Sequence, residues 1–271
     1  AQINPTVGDL SKNADLISKY AFDAANAGAV VVVYPEMVLT GYPVEDLANR
    51  PSFRAASITA VSALATRINN EGNGDLTLLV GYLGQSDAGR PQNCVAVIYR
   101  GEIVATYIKH HLPNYGVFDE YRNFSPGNHS LVIRVCGVDI GIAICEDIWQ
   151  NGGPVAELTK RRIGLLLVPN GSPYHRDQAD VRSALMVARV VETGLPLVNC
   201  ESCHGPGSLA VEHAAEQKTC DFKKLLPLSE FPAQAQSMIC LRCHSAASTP
   251  NLINWNSSIH ALSEVSCFNC H

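Results

Sequence analysis

Between Ser11 and Val198 apolar residues recur by turns at helical and at strand spacing, and beyond Asn199 that alternation stops. The stretch Ser11–Ala27 carries Ala14, Ile17, Ala21 and Ala24 at helical spacing, with Gly28 as a natural stop. Val30–Tyr34 is a short, mostly β-branched run that reads as a buried strand. A helix is predicted over Phe53–Asn69 and a strand over Leu76–Tyr82. Cys94–Arg100 and Glu102–Ile108 form a predicted hairpin around Gly101, and Leu131–Cys136 and Val138–Cys145 a second around Gly137. A helix near Pro154–Arg161, a strand over Gly164–Val168, a helix over Gln178–Thr193 and a strand beginning at Leu195 complete the pattern. Such alternation argues for a layered α/β domain.

Charge excludes some functions. The net charge of −5 gives no electrostatic case for nucleic acid or an anionic membrane. No apolar run is long enough for a transmembrane helix, and AQINPTVGDL lacks the basic-then-apolar pattern of a signal peptide. The cysteines divide unevenly: Cys94, Cys136 and Cys145 are scattered, whereas Cys200, Cys203, Cys220, Cys240, Cys243, Cys267 and Cys270 crowd into the last 72 residues. Scattered cysteines suit a reducing cytosol.

Glu36 follows the strand VVVVYP, Lys109 follows GEIVATYI, and Cys145 closes VDIGIAIC. All three therefore fall at or just beyond predicted C-terminal strand ends, where open α/β sheets place ligand sites. A thiol that attacks an amide needs a base to form the thiolate and a cation to hold the developing oxyanion. These residues supply one of each. Taken singly, each also has a plainer reading: Cys145 as packed core, Glu36 as a solvated loop residue, Lys109 as a surface charge.

The flanking segments PEMVLTGYPVEDL, KHHLPNYGVFDEYRNFSPG, ICEDIWQNGGPV and NGSPYHRDQADVR occur in that order. They resemble the nitrilase superfamily, and in particular the glutaminase domain of bacterial glutamine-dependent NAD synthetases, over residues 1–198. The resemblance implies a catalytic triad of Glu36, Lys109 and Cys145, with Glu120 orienting Lys109 or the substrate. Tyr42, Tyr115, Glu146 and Ser172 match glutamine-contacting positions, with simple packing as the alternative for the two tyrosines. It also implies glutamine as substrate, no cofactor, a homo-oligomer and a cytoplasmic setting. The expected fold is an α/β, αββα nitrilase-type sandwich, here incomplete because the family domain continues past the strand at Leu195. The sequence has no SGG-x-D pyrophosphatase motif, so the synthetase half that would accept the ammonia is not expected in it.

Residues 199–271 follow a different logic. CESCH, CLRCH and CFNCH are each C-x-x-C-H, the spacing of covalent c-type haem attachment, with a zinc site or a disulfide framework as rivals. Up to three haems would be attached through Cys200 and Cys203, Cys240 and Cys243, and Cys267 and Cys270. His204, His244 and His271 would be iron ligands, with His260 and His213 as candidate distal ligands that read equally as surface histidines. The segment is similar to a fragment of a multihaem, decahaem-type c-type cytochrome, which implies electron transfer, redox partners and a periplasmic setting. Apolar residues are too sparse there for an independent core, so an irregular, haem-dependent segment of coil and short helices is expected. The join within Leu197–Cys200 interrupts a strand without a polar linker, which suggests a chimera of two truncated domains as a third reading.

Overall fold

The computed structural model describes residues 1–116, 118–161, 163–171 and 179–199, with backbone alone for 179–183. Ser172, and every cysteine and histidine of the three C-x-x-C-H motifs together with His213 and His260, lie outside the described residues. The chain divides into two units after Cys203, and all described residues belong to the first.

Helix α1 (Leu10–Asn26) starts where the Asp9 carboxylate accepts from the Lys12 N–H at 3.1 Å. It buries Asn13, Ile17 and Ala21, four residues apart, and ends before Gly28. Helix α2 (Pro51–Ile68) begins at Pro51, where a missing N–H costs nothing, and buries Ser57, Val61, Leu64, Ala65 and Ile68. Between them lies β1 (Val31–Val33). After α2 come β2 (Thr77–Gln85), β3 (Pro91–Tyr99) and β4 (Glu102–Ile108). These form one sheet in the order β1-β2-β3-β4, in which β1 runs parallel to β2 and the other pairs are antiparallel.

The predicted strand at Leu76–Tyr82 extends three residues further, because Leu83, Gly84 and Gln85 pair with Asn93, Gln92 and Pro91. Gly84 and Pro91 weaken the strand pattern in sequence, and pairing at the end of the ladder overrides them.

The one-turn helix α3 (Glu120–Asn123) precedes β5 (Leu131–Val135) and β6 (Val138–Ile142). Then follow α4 (Gly153–Thr159), β7 (Leu165–Val168), α5 (Ala179–Thr193) and β8 (Leu197–Asn199). The second sheet has the order β5-β6-β7-β8, with β6, β7 and β8 parallel, so β8 is its last strand among the described residues.

Side-chain alternation explains the layering. In β3, Cys94, Ala96 and Ile98 face α1 and α2, whereas Val95 and Val97 face the other sheet. In β6, Ile140 and Ile142 meet them from the opposite side, while Leu79 of β2 and Tyr107 of β4 join Val95 and Val97 on the near side. Leu158, Leu166 and Leu197 join α4 and α5 to the outer face of the second sheet. The result is helices, sheet, sheet, helices: the αββα sandwich expected from the motifs. Each fully buried aliphatic chain in these layers contributes roughly 1.5–3 kcal/mol.

Candidate active site

Glu36 sits on the loop after β1, and that loop lies across β2. The Tyr34 N–H donates to Leu79 O at 3.1 Å and the Leu39 N–H to Gly81 O at 3.0 Å. A Cβ at Gly81 would fall 2.2 Å from the Met37 nitrogen, so glycine alone lets the loop approach this closely. The Glu36 N–H donates to Asn170 O at 3.3 Å, beyond the end of β7. The side chain is 1% exposed.

Lys109 is the residue after β4 and continues the inward row of Ala105 and Tyr107. Its N–H donates to Asn93 O at 2.9 Å, and its carbonyl accepts from the Gly127 N–H at 2.8 Å. The ammonium lies 2.7 Å from Glu36 Oε1 and 2.7 Å from Glu120 Oε2, with all three side chains buried. Burial alone would favour neutral lysine, but Glu36 and Glu120 outweigh it and hold its pKa above the ordinary range. Burial raises the Glu120 carboxyl to about 7 against the pull of Lys109, and Glu36 adds to the rise. Tyr42 donates from its hydroxyl to Glu120 Oε1 at 2.8 Å. Burial, then Glu36 and Glu120, keep that phenol protonated.

Cys145 opens a 3-10 turn (Cys145–Ile148) three residues past β6. Its φ of +40° lies in the left-handed region, a conformation that costs a non-glycine residue on the order of 1–3 kcal/mol and clusters at functional sites. Its N–H donates to Pro169 O at 3.0 Å, one residue before the carbonyl that holds Glu36. A charge on its sulfur is felt by Lys109 and by the phenols of Tyr42 and Tyr115. Tyr115, half exposed, donates to Glu146 Oε2 at 2.7 Å, and Gln150 Nε2 donates to Glu146 Oε1 at 3.1 Å. The plainer readings of Glu36 and Lys109 fail, because both side chains are buried and paired. The hydroxyls of Tyr42 and Tyr115 both bond to carboxylates of the site. The arrangement brings a thiol, a carboxylate and a buried ammonium to one end of the sandwich, a set suited to acyl transfer.

The profile of the carbon-nitrogen hydrolase family matches residues 1–254. The chain belongs to the carbon-nitrogen hydrolases. Among its relatives are the glutamine-dependent NAD(+) synthetase of Rhodobacter capsulatus, 39% identical over 73% of this chain and 35% of the relative, and that of Acinetobacter baylyi, 32% identical over 85% and 43%. The chain thus spans less than half the length of either. The structure of glutamine-dependent NAD+ synthetase from Acinetobacter baumannii superposes with a TM-score of 0.67 at 31% identity, over 73% of this chain and 37% of that one. A variant of the amidase from Nesterenkonia sp. AN1, with the acetamide moiety of fluoroacetamide on its active site cysteine, superposes with a TM-score of 0.62 at 25% identity, over 73% and 72%.

The match of this carbon-nitrogen hydrolase to its family crosses the join at Leu197–Cys200 and runs over CESCH and CLRCH. The haem segment, its electron-transfer role and the chimeric join gain no support from these findings. Among the described residues, no group of three or more His, Cys, Asp or Glu is arranged to hold a metal ion, and no helix is long and apolar enough to cross a membrane.

Two buried residues of this hydrolase escape a reading of the motifs. Asn93 donates from Nδ2 to Glu36 Oε1 at 2.7 Å. Asp147, fully buried, accepts at Oδ1 from the N–H groups of His110 and His111 and at Oδ2 from the Ile144 N–H and the Tyr107 hydroxyl. A signal for Asn93 is present in the alternation of β3, where the inward row Val97, Val95 ends on an amide. Asp147 lies inside CEDIW but two residues past the sulfur, where sequence spacing alone assigns it no partner.

Proposed function

We propose that this chain hydrolyses the side-chain amide of glutamine through a thioester on Cys145. The observation that carries the reading is the buried Lys109 ammonium, 2.7 Å from both Glu36 and Glu120 and within electrostatic reach of Cys145. Glu36 takes the thiol proton, and the sulfur bonds to the amide carbon. Lys109 stabilises the negative oxygen of the tetrahedral adduct. The C–N bond breaks as Glu36 returns the proton, and ammonia leaves. Water then attacks the thioester carbonyl, Glu36 takes its proton, and glutamate departs as the thiol is restored. Glu120 fixes the ammonium, with Tyr42 bonded to its other oxygen, and Tyr42, Tyr115, Glu146 and Ser172 are assigned to glutamine by the resemblance.

The preference for glutamine rests on relatives named as glutamine-dependent, and the modified active site cysteine of the Nesterenkonia amidase supports thiol chemistry in this fold. Delivery of the ammonia to NAD synthesis rests on the same likeness and calls for a synthetase domain or partner to receive it. A reduced sulfur suits the cytoplasm, and Cys94, Cys136 and Cys145 form no disulfide. The test is ammonia release from glutamine by the intact chain. Cys145→Ala is expected to abolish it with the fold retained, and a rate unchanged by that substitution would overturn the reading.

A further inference from the structure

Glu36 uses its two carboxylate oxygens differently. Oε1 receives both Lys109 Nζ and Asn93 Nδ2, each at 2.7 Å. Oε2 is buried and accepts no hydrogen bond from the described residues. It lies 3.1 Å from where a Cβ on Gly171 would be, so it faces the Pro169–Gly171 backbone that also holds the Cys145 amide. Asn93 is itself 1% exposed and doubly fixed, because its carbonyl takes the Lys109 N–H. One residue therefore sets the height of the lysine through its backbone and the rotation of the glutamate through its side chain.

We propose that Asn93 is a positioning residue that commits Glu36 Oε1 and leaves Oε2 as the oxygen that exchanges protons with Cys145 and with the attacking water. The inference rests on the amidase reading and deepens it. Without the amide, Oε1 keeps only Lys109, and the carboxylate is free to turn so that either oxygen meets the ammonium. A buried amide donor also stabilises the charged, proton-accepting form of a carboxylate. The titratable groups facing Glu36 are Lys109 after β4, Glu120 on α3 and Tyr42 on its own loop, and Cys145 on the turn after β6 acts on two of these, Lys109 and Tyr42. Asn93 is the neutral donor among them, so its removal changes the base without changing the local charge.

The experiment compares Asn93→Ala and Asn93→Asp with the unaltered chain. Glutamine hydrolysis is followed from pH 5 to 9, along with alkylation of Cys145 by iodoacetamide, located by peptide mass spectrometry. In Asn93→Ala, kcat is expected to fall by about 10- to 100-fold with KM for glutamine little changed, and the acidic limb of kcat/KM to move to higher pH. Asn93→Asp keeps the shape. Its ionised side chain repels Glu36, whereas its protonated form donates again, so this variant is expected to recover relative to Asn93→Ala as the pH is lowered. The alkylation profile should move in the same directions, and it requires no glutamine turnover. Loss of kcat in proportion to loss of folded protein, with both pH profiles in place, would overturn the proposal. Absent glutamine hydrolysis in the unaltered chain would sink the amidase reading alone, while the alkylation profiles would still decide on Asn93.

Discussion

At the residue scale, the site places two carboxylates around one ammonium. Glu120 bears the imbalance, since burial lifts it from 4.5 to about 7. A carboxyl whose pKa is higher in the folded than in the unfolded state favours folding fully only below its unfolded value, and that contribution is lost as pH rises through the folded one. Stability should therefore decline between about pH 5 and pH 8. In Glu120→Gln the decline should flatten, the variant gaining on the native chain by on the order of 1–3 kcal/mol across that interval in urea titrations. Activity should fall in the same variant mainly above about pH 7, where Lys109 loses one of its two carboxylate charges. Glu36, Lys109, Cys145 and Glu120 were legible because each stands inside a motif with recognisable flanks. Asn93 was not, because PQNCVAVIY reads as an ordinary strand until its alternation is set against a known inward face. That face is fixed by pairing with β2 and by the opposing sheet, neither of which is a local property of the segment.

At the element scale, the turn bearing Cys145 is tied to the loop after β4 through Asp147. Burial raises this carboxyl, and hydrogen bonds from the His111 N–H, the Tyr107 hydroxyl and the Ile144 N–H work the other way. Asp147→Asn preserves the shape but turns one oxygen into a donor. In one orientation the new NH2 group faces the His110 and His111 amides, and in the other it faces Ile144 and Tyr107. In the first orientation the two half-buried histidine amides lose their acceptor; in the second the Ile144 N–H loses it while the Tyr107 hydroxyl turns to accept, so denaturant unfolding should register a loss of about 1–3 kcal/mol. Helix α5 braces the same turn: buried Arg189 donates from Nε to Ile148 O at 2.6 Å and from Nη2 to Asn151 Oδ1 at 3.0 Å. The elements themselves were readable from periodicity, with α1, α4, α5 and both hairpins within a few residues of their predicted bounds. The pairing of β2 with β3 was not, because it depends on which strands become neighbours rather than on either strand alone.

At the scale of the whole molecule, the three cysteines in the described residues report on different depths. Cys136 is exposed at the β5–β6 turn, Cys145 lies in the site, and Cys94 is 2% exposed with its thiol pushed up to about 12 by burial. Iodoacetamide labelling read by peptide mass spectrometry should therefore modify Cys136 in the native state. Cys94 should be labelled only at denaturant concentrations that unfold the sandwich globally. Labelling of Cys94 well below that midpoint would mean that the first sheet opens independently of the second. The sandwich also governs how faithfully the site keeps time with its own motions. Glu36 and Cys145 come from different sheets, yet their amides hang from the adjacent carbonyls of Asn170 and Pro169. Thermal displacement of that short ledge carries Glu36 and Cys145 together, as a common-mode shift, and largely cancels in the gap between them.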